Sequence, residues 1–294
     1  MLKLVVLFFT YFTNTVYFDN LLGGDFMAQG FIHTPHSISS AYDNPALLGM
    51  LKNIYAFTTE SPRNNTTFYI DTKGRSKSPI QGIVSPKFAL YYRKVYALDV
   101  RVDSPYFVDK ERYSEYALSL VSSNKSTSLG INLKYLTGLY AYAHSDSAGA
   151  VIILDFAKGF TQDLGIHVNA RVFSFGAAYN NIYGYLWWED TTKVRLPSKF
   201  FITAGLHPFH DILFLNAEYE KNSAYVHGTI KGNLIFNIPY KPHGWKTSIS
   251  LGYLKTTSAR LITYGFTIDK GALKTSFGFD NKGNLAVTLY TSGQ

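Results

Sequence analysis

Histidines are the residues of this chain best suited by type to acid–base or metal chemistry. The sequence contains eight His residues, and one close pair, His207 and His210, is separated only by Pro208 and Phe209. A zinc ion needs three or four protein ligands at suitable spacing, which one pair does not supply. Because Pro is typical of a turn between strands, the sequence predicts turn histidines here and no metal site.

Carboxylates close to lysines form a second group of candidate residues. They are Glu189 and Asp190 near Lys193, and Glu218 and Glu220 near Lys199 and Lys221. Such mixed charges are typical of solvated rims, which is how we interpret them. No Gly-rich phosphate loop or Ser-His-Asp arrangement stands out, and the absence of Cys excludes thiol chemistry. The sequence therefore predicts no enzyme: no catalytic residue, no cofactor and no metal.

The elements that would position any site are short segments in which apolar and polar residues alternate. Alternation is clear from Ser128 to Tyr135, from Thr247 to Tyr253 and from Leu273 to Phe279. Successive side chains of a strand point to opposite faces, so this period indicates strands with one apolar face. Further strands, some of them in pairs, are predicted near residues 54–60, 66–71, 87–102, 113–121, 148–157, 163–180, 199–220, 223–237, 259–268 and 284–290.

Composition favours a membrane barrel. The residues are 46% hydrophobic with a mean hydropathy of -0.03, yet they include 23 Tyr and 22 Phe. In a transmembrane barrel the outer face is apolar, the inner face is polar, and aromatic residues gather where membrane meets water. The sequence thus predicts an all-β fold: a single transmembrane antiparallel β-barrel of about 14 strands with a short N-terminal plug segment. A soluble β-sandwich is the alternative.

The N-terminus has the order of a secretory signal. Lys3 precedes an apolar stretch from Leu4 to Phe12. No Ser/Pro-rich or charged linker divides the remaining chain. We therefore predict a signal peptide over residues 1–19, an N-terminal plug segment over 20–52 and a barrel over 53–294, in the bacterial outer membrane.

Three parts of the chain resemble the FadL-like outer-membrane superfamily, which includes long-chain fatty acid transporters and the PorV-type barrels of type IX secretion. Residues 23–26 and 38–49, which contain Asp43-Asn44-Pro45-Ala46, are similar to the N-terminal signature. Residues 173–184 and 196–197 resemble the mid-barrel pattern of the PorV-like branch, and residues 264–268 resemble its penultimate hairpin. The mid-barrel motif residues are Gly176, Asn180, Asn181, Leu196 and Pro197. The resemblance implies that residues 20–50 lie inside or across the periplasmic mouth of the barrel.

The plug motif also has a physical interpretation. Pro45 fixes its own φ and disfavours the helical region for Asn44, whose side chain can bond its own backbone. Ala46 can then begin a short helical turn. Irregular backbone at membrane depth is tolerated only when protein encloses it, which favours a plug over a helix cap on a soluble domain.

Charge and tryptophan placement suggest contacts with the membrane. The formal net charge is +8, but the basic residues are dispersed, so no nucleic-acid partner is predicted. Lys73, Arg75 and Lys77 form a polar loop that could meet phosphate-bearing lipids or an acidic partner, or could simply be solvated. Trp187 and Trp188 are predicted to anchor the barrel at the interface, the alternative being a loop packed over its mouth.

Three functions follow as hypotheses. The mid-barrel similarity favours a scaffold or docking protein for exported or surface proteins, with outer-membrane lipid and cell-envelope proteins as partners. The first alternative is a transporter for hydrophobic compounds such as fatty acids, which would bind a hydrophobic small molecule. The second alternative is a soluble β-sandwich adhesion module. The shortness of the chain argues against a full-sized fatty-acid channel.

Overall fold

The computed structural model describes residues 32–35, 37–61, 77–103, 106–146, 149–209, 212–223, 226–239, 244–256, 260–270, 272–281 and 285–293. These residues form two 3-10 helices, Ser39–Tyr42 and Pro45–Met50, followed by fifteen strands. The strands are β1 (Ile54–Ser61), β2 (Lys77–Val84), β3 (Phe88–Asp103), β4 (Tyr106–Ser123), β5 (Thr127–Asp146), β6 (Gly149–Asn169), β7 (Phe173–Trp188), β8 (Lys193–Arg195), β9 (Lys199–Leu206), β10 (Leu213–Asn222), β11 (Thr229–Ile238), β12 (Lys246–Lys255), β13 (Arg260–Lys270), β14 (Leu273–Asp280) and β15 (Leu285–Gly293). None of the described helices is long and apolar enough to cross a membrane.

The strands close into an antiparallel barrel. Strands adjacent in the ring pair with each other, and β1 pairs with β15, so that Ile54 lies opposite Gly293. Strands β8 and β9 share one position in the ring, because both pair with β7 on the same side. Fifteen strands therefore fill 14 positions, which confirms the predicted all-β barrel of about 14 strands. The strand predicted at residues 66–71 lies outside the described part of the chain.

The two faces of the barrel wall differ as the alternation predicts. On β5, Leu129 and Tyr135 point outward and are exposed, whereas Ser128 and Asn132 point inward and are buried. The same pattern places large apolar side chains outside on most strands, among them Leu118, Phe160, Leu164, Phe175, Leu215, Leu234, Leu251, Tyr264 and Leu289. A soluble β-sandwich would bury such a face against a second sheet, so the arrangement argues against that alternative.

Five consecutive strands are longer than a membrane requires. Strands β3 to β7 contain 16 to 21 residues, whereas β9 to β15 contain 8 to 11. A tilted spanning strand needs ~9–11 residues, so the wall is taller on the β3–β7 side. The predicted span 113–121 covered only part of β4, because four consecutive charged residues, Asp109 to Arg112, hide the strand period there.

Strand β7 carries two extra residues relative to β6. The pairs Leu164 with Tyr179 and Phe160 with Tyr185 are separated by four residues on β6 and by six on β7. Between them the backbone of Asn181 and Tyr183 adopts φ angles of 58° and 55°, which is typical of β-bulges. The bulges lie where the partner of β7 changes from β9 to β8, so part of the mid-barrel motif is a local distortion of the wall.

Residues 32–35 and 37–51, called the inner segment below, lie within the barrel. They include both 3-10 helices, and almost all of their side chains are buried. On one side the packing is apolar and involves strands β1 to β4, β12 and β15. The side chains are Ile38, Ala41, Tyr42, Leu47 and Leu48 of the segment against Phe57, Ile80, Val84, Ala89, Tyr91, Ala117, Leu254, Ala286 and Tyr290 of the wall. On the other side the contacts are polar.

Candidate functional site

The Asp43-Asn44-Pro45-Ala46 motif shapes the inner segment. Asn44 has an extended backbone, its side-chain Oδ1 accepts a hydrogen bond from the N–H of Ala46 at 3.2 Å, and Pro45 is the first residue of the second 3-10 helix. This is the local geometry that the sequence predicts for an Asn-Pro helix start. The motif thereby presents the side chain of Asp43 to the barrel wall.

Two glycines let the wall approach this motif. A Cβ atom added to Gly130 on β5 would lie 2.6 Å from the backbone nitrogen of Ala46 and 2.6 Å from the carbonyl carbon of Pro45. A Cβ atom added to Gly165 on β6 would overlap Oδ1 of Asn44. Strand glycines often mark such a close backbone approach. The second 3-10 helix is thus seated directly against β5 and β6.

Asp43 forms a buried ion pair with the wall. Its Oδ2 accepts a hydrogen bond from Nζ of Lys199 at 2.8 Å and lies 3.2 Å from Nε2 of His33. Lys199 begins strand β9 and points inward, opposite Asn180 on β7. Since all three charged side chains are almost fully buried, the ion pair is protected from salt screening.

Glu218 forms the second half of the same network. Its Oε2 accepts hydrogen bonds from the backbone N–H of His33 at 2.9 Å and from Oγ1 of Thr203 at 2.8 Å, and it lies 2.9 Å from Nδ1 of His33. Its Oε1 accepts a hydrogen bond from Nζ of Lys231 at 2.8 Å. The strand register creates this cluster, because Thr203, Glu218 and Lys231 lie opposite one another on β9, β10 and β11. We call His33, Asp43, Lys199, Glu218 and Lys231 the ionic clamp.

The prediction that Glu218 and Lys199 lie on a solvated rim is wrong. Both point into the barrel, where Glu218 is 2% exposed and Lys199 is 4% exposed. Charges at alternate positions of a strand face the lumen when the other face is apolar, as it is on β10. The inner segment then covers these charges and removes them from water.

A second polar cluster fastens Tyr42 to strands β4 to β6. Nδ2 of Asn132 donates to the carbonyl oxygen of Tyr42 at 2.6 Å and to Oδ2 of Asp163 at 2.9 Å. Lys134 pairs with Asp163 at 2.7 Å and lies 4.2 Å from the centre of the Tyr42 ring, while the Tyr42 hydroxyl donates to Glu115. The inner segment is therefore bound by charged groups on two sides of the barrel.

The pKa values of the inner segment reflect these contacts. Burial lowers the pKa of His33, but the carboxylates of Glu218 and Asp43 outweigh burial and the opposing charge of Lys231, so that the pKa of His33 is raised above its usual 6.5. Burial raises the pKa of Asp43, but Lys199 and His33 overcome this and hold it well below its usual range. Burial and Glu115 raise the pKa of Tyr42, which stays neutral.

We expect the seating of the inner segment to weaken as pH rises. A raised pKa for His33 in the folded state means that its contribution to stability is complete below about pH 6.5 and is lost as pH rises through the folded pKa. The thermal midpoint in detergent should therefore fall between pH 5.5 and pH 8.5, and His33→Gln should remove most of that fall. An equal pH dependence in both proteins would contradict a protonated His33.

An apolar cluster occupies the lumen beyond the ionic clamp, on the side of the tall strands. It contains Tyr113, Leu136, Tyr140, Ala157, Leu186, Trp188 and Leu196, with Tyr142, Ile153 and Val194 packed against it. Trp188 and Tyr113 are edge to face with ring centres 6.1 Å apart. These side chains point inward and are buried, so they pack on one another rather than line a water-filled pore. We call this group the aromatic cluster.

The residues of the mid-barrel motif lie near the ionic clamp, at the bulge of β7 and in the aromatic cluster. Gly176 faces Asn44, and Asn180 is buried beside Lys199. Asn181 is held at the bulge, where its N–H donates to Asp163 at 2.9 Å and its Nδ2 donates to the carbonyl oxygen of Pro197 at 2.9 Å. Leu196 belongs to the aromatic cluster, and its N–H donates to Gly184 at 2.9 Å.

The predicted tryptophan anchor divides between the two faces of β7. Trp187 points outward and is 45% exposed, so it stays a candidate for contact with lipid. Trp188 points inward and is 5% exposed within the aromatic cluster, because successive side chains of a strand point to opposite faces. Trp188 therefore lies in the lumen and not on the outer surface where an anchor would contact the membrane.

The structure does not bring the remaining candidate residues, His207, His210, Lys73 and Arg75, together in a described site. His207 lies edge to face with Phe214, with ring centres 4.9 Å apart, and His210 is outside the described residues. Within the part of the chain that the structure describes, no three His, Cys, Asp or Glu residues are grouped so that they could hold a metal ion. Lys73 and Arg75 are also outside the described residues.

Comparison with known proteins supports the fold. No protein-family model and no curated protein matches the chain. Among solved structures, the CymD monoaromatic hydrocarbon channel is similar with a TM-score of 0.58 at 12% identity, covering 94% of this chain and 99% of CymD. The Pseudomonas putida toluene transporter TodX is similar with a TM-score of 0.56 at 9% identity, covering 92% and 97%.

These likenesses concern the fold alone, because the sequence identities are so low. They confirm the closed antiparallel β-barrel that the sequence predicts, while membership of the FadL-like superfamily stays a prediction. The PorV-like branch stays a prediction. The names of both neighbours describe a channel or a transporter, not an enzyme.

Proposed function

We propose that the protein is an outer-membrane channel for small apolar compounds. The observation that carries this proposal is the aromatic cluster, which places seven mainly apolar side chains in the lumen, apart from the apolar part of the wall that packs against the inner segment. A barrel that conducted ions or sugars would be expected to line its lumen with polar groups and water. Inward aromatic and aliphatic side chains are instead suited to small apolar molecules.

The outer wall supports a membrane location. On the tall side, Tyr92, Tyr116, Tyr135, Phe160 and Tyr185 lie opposite one another in register on β3 to β7. Aromatic residues form such girdles where barrels meet the membrane–water interface. The neighbours of similar fold are described as a monoaromatic hydrocarbon channel and a toluene transporter, which agrees with this proposal.

The inner segment acts as the closure of the channel in this proposal. Its contacts with the wall are apolar on one side and ionic on the other, so it can be released when the ionic clamp opens without unfolding the barrel. The scaffold hypothesis leaves the aromatic cluster unexplained, since a docking surface would lie on the outside. We therefore favour transport over docking.

Filling the aromatic cluster should block uptake. Ala157→Phe adds a ring among Tyr113, Leu186 and Trp188, whereas Ala217→Phe adds the same ring to the exposed outer face of β10. In cells whose outer membrane contains either variant, entry of a radiolabelled monoaromatic hydrocarbon should fall toward the rate of cells without the barrel for A157F and stay unchanged for A217F.

Heat-modifiable migration in detergent gels checks that both variants fold. Equal uptake through the two folded variants would overturn the apolar channel. Loss of an exported protein from the cell surface with A217F, and unchanged uptake with A157F, would instead favour the docking hypothesis.

A further inference from the structure

A row of basic and aromatic side chains crosses the outer wall at β6, β7 and β8. Lys158 lies opposite Trp187, and Trp187 lies opposite Lys193. In the next row Phe160 lies opposite Tyr185, and Tyr185 lies opposite Arg195. All six residues belong to the outward-facing set of their strands, and the side chains of Lys158, Lys193 and Arg195 are exposed.

The three cations are close together. Neighbouring strands are ~4.8 Å apart, so Lys158 and Lys193 attach to the wall about 10 Å from each other, and Lys193 and Arg195 attach about 7 Å apart on β8. Nζ of Lys193 is 3.8 Å from the centre of the Tyr185 ring and 5.6 Å from the centre of the Trp187 ring. The aromatic faces thus hold the central ammonium group in place.

No described carboxylate neutralises this group. None of the three cations forms a salt bridge within the part of the chain that the structure describes. Asp155, three positions before Lys158, is buried on the inner face of β6. The acidic residues nearest to Lys193 along the chain are Glu189 and Asp190 in the β7–β8 turn, where Asp190 accepts a hydrogen bond from the N–H of Thr192 at 2.9 Å. Three like charges at this spacing repel one another unless an anion lies between them.

We propose that Lys158, Lys193 and Arg195, together with Trp187, bind the phosphate of an anionic lipid headgroup. The ligand is a lipid because the row borders the outer aromatic residues Phe160 and Tyr185, where headgroups meet the wall of a spanning barrel. Trp187 would contact the lipid next to its phosphate, and the cations would surround the phosphate oxygens. This inference rests on the proposed function only in requiring that the barrel lies in a membrane.

The test compares two triple variants of the purified full chain in detergent. K158Q/K193Q/R195Q removes the three cations of the proposed lipid site. The control, K87Q/K125Q/K246Q, removes three exposed lysines at the end of the barrel that carries the short turns at residues 85–87 and 124–126. Thermal midpoints are measured with phosphatidylglycerol, with phosphatidylcholine, and with inorganic phosphate at equal concentration. We expect phosphatidylglycerol alone to raise the midpoint of the wild type and of K87Q/K125Q/K246Q, and to have little effect on K158Q/K193Q/R195Q.

An equal shift in both triple variants would overturn the site, since any basic surface would then suffice. An equal shift with inorganic phosphate would overturn the lipid as ligand. Heat-modifiable migration of K158Q/K193Q/R195Q checks that this variant folds. Hydrocarbon uptake is measured in a separate experiment. A negative uptake result would therefore not affect the interpretation of the lipid experiment, and a negative lipid result would not affect the channel proposal.

Discussion

Replacing Glu218 by Gln should lower the free energy of unfolding by about 3 kcal/mol, the largest effect that we expect from an isosteric change. Removing one partner of a buried ion pair costs about 3–5 kcal/mol, because the other charge stays buried without compensation. We expect the lower end because Lys231 keeps a second carboxylate, Glu220, at 2.7 Å. The midpoint of urea unfolding in detergent micelles, followed by tryptophan fluorescence, measures this loss.

A double-mutant cycle separates the ion pair from other effects of the substitution. Lys231→Met removes the opposite charge, and the loss in the double variant E218Q/K231M should be smaller than the sum of the two single losses. Glu189→Gln is the matched control, since this carboxylate is exposed and should change stability by less than about 0.5 kcal/mol. Additive losses in the cycle would mean that Glu218 and Lys231 do not stabilise each other.

The barrel could be predicted from sequence because its wall has a simple period. Every second residue points outward, and this holds for Leu129 to Tyr135 as well as for Leu273 to Phe279. Length and strand period then give a count near 14. The full length of the tall strands β3 to β7 was harder to predict, because part of their sequence does not alternate between apolar and polar residues. The charged run Asp109 to Arg112 in β4 is one such place.

The ionic clamp could not be predicted, because its members are far apart in the sequence. His33 and Glu218 are separated by 185 positions, and Asp43 and Lys199 by 156. Only the barrel register brings Thr203, Glu218 and Lys231 into one row, and only the Asn-Pro turn aims Asp43 at Lys199. One signal was available: Glu218 and Glu220 alternate with apolar Ala217 and Tyr219, which places both carboxylates on the inner face.

The close approach of the wall to the Asn-Pro motif leads to the prediction with the largest expected effect on passage. Gly130→Ala should displace the second 3-10 helix from β5, because its Cβ would lie 2.6 Å from backbone atoms of Pro45 and Ala46 that cannot rotate away. Overpacking of this kind costs about 1–3 kcal/mol, and the inner segment can relieve it by moving. The ion conductance of the barrel in a planar lipid bilayer should therefore rise above that of the wild type.

Gly232→Ala is the control, because its added Cβ would meet only the carbonyl oxygen of Asn216 at 3.9 Å. Its conductance should equal that of the wild type. If the inner segment closes the lumen, E218Q should raise conductance in the same direction as Gly130→Ala, since the two changes loosen contacts of the segment with two different strands, β10 and β5. Unchanged conductance in a folded Gly130→Ala barrel, together with the stability loss in E218Q, would show that the ionic clamp stabilises the fold while the aromatic cluster alone closes the lumen.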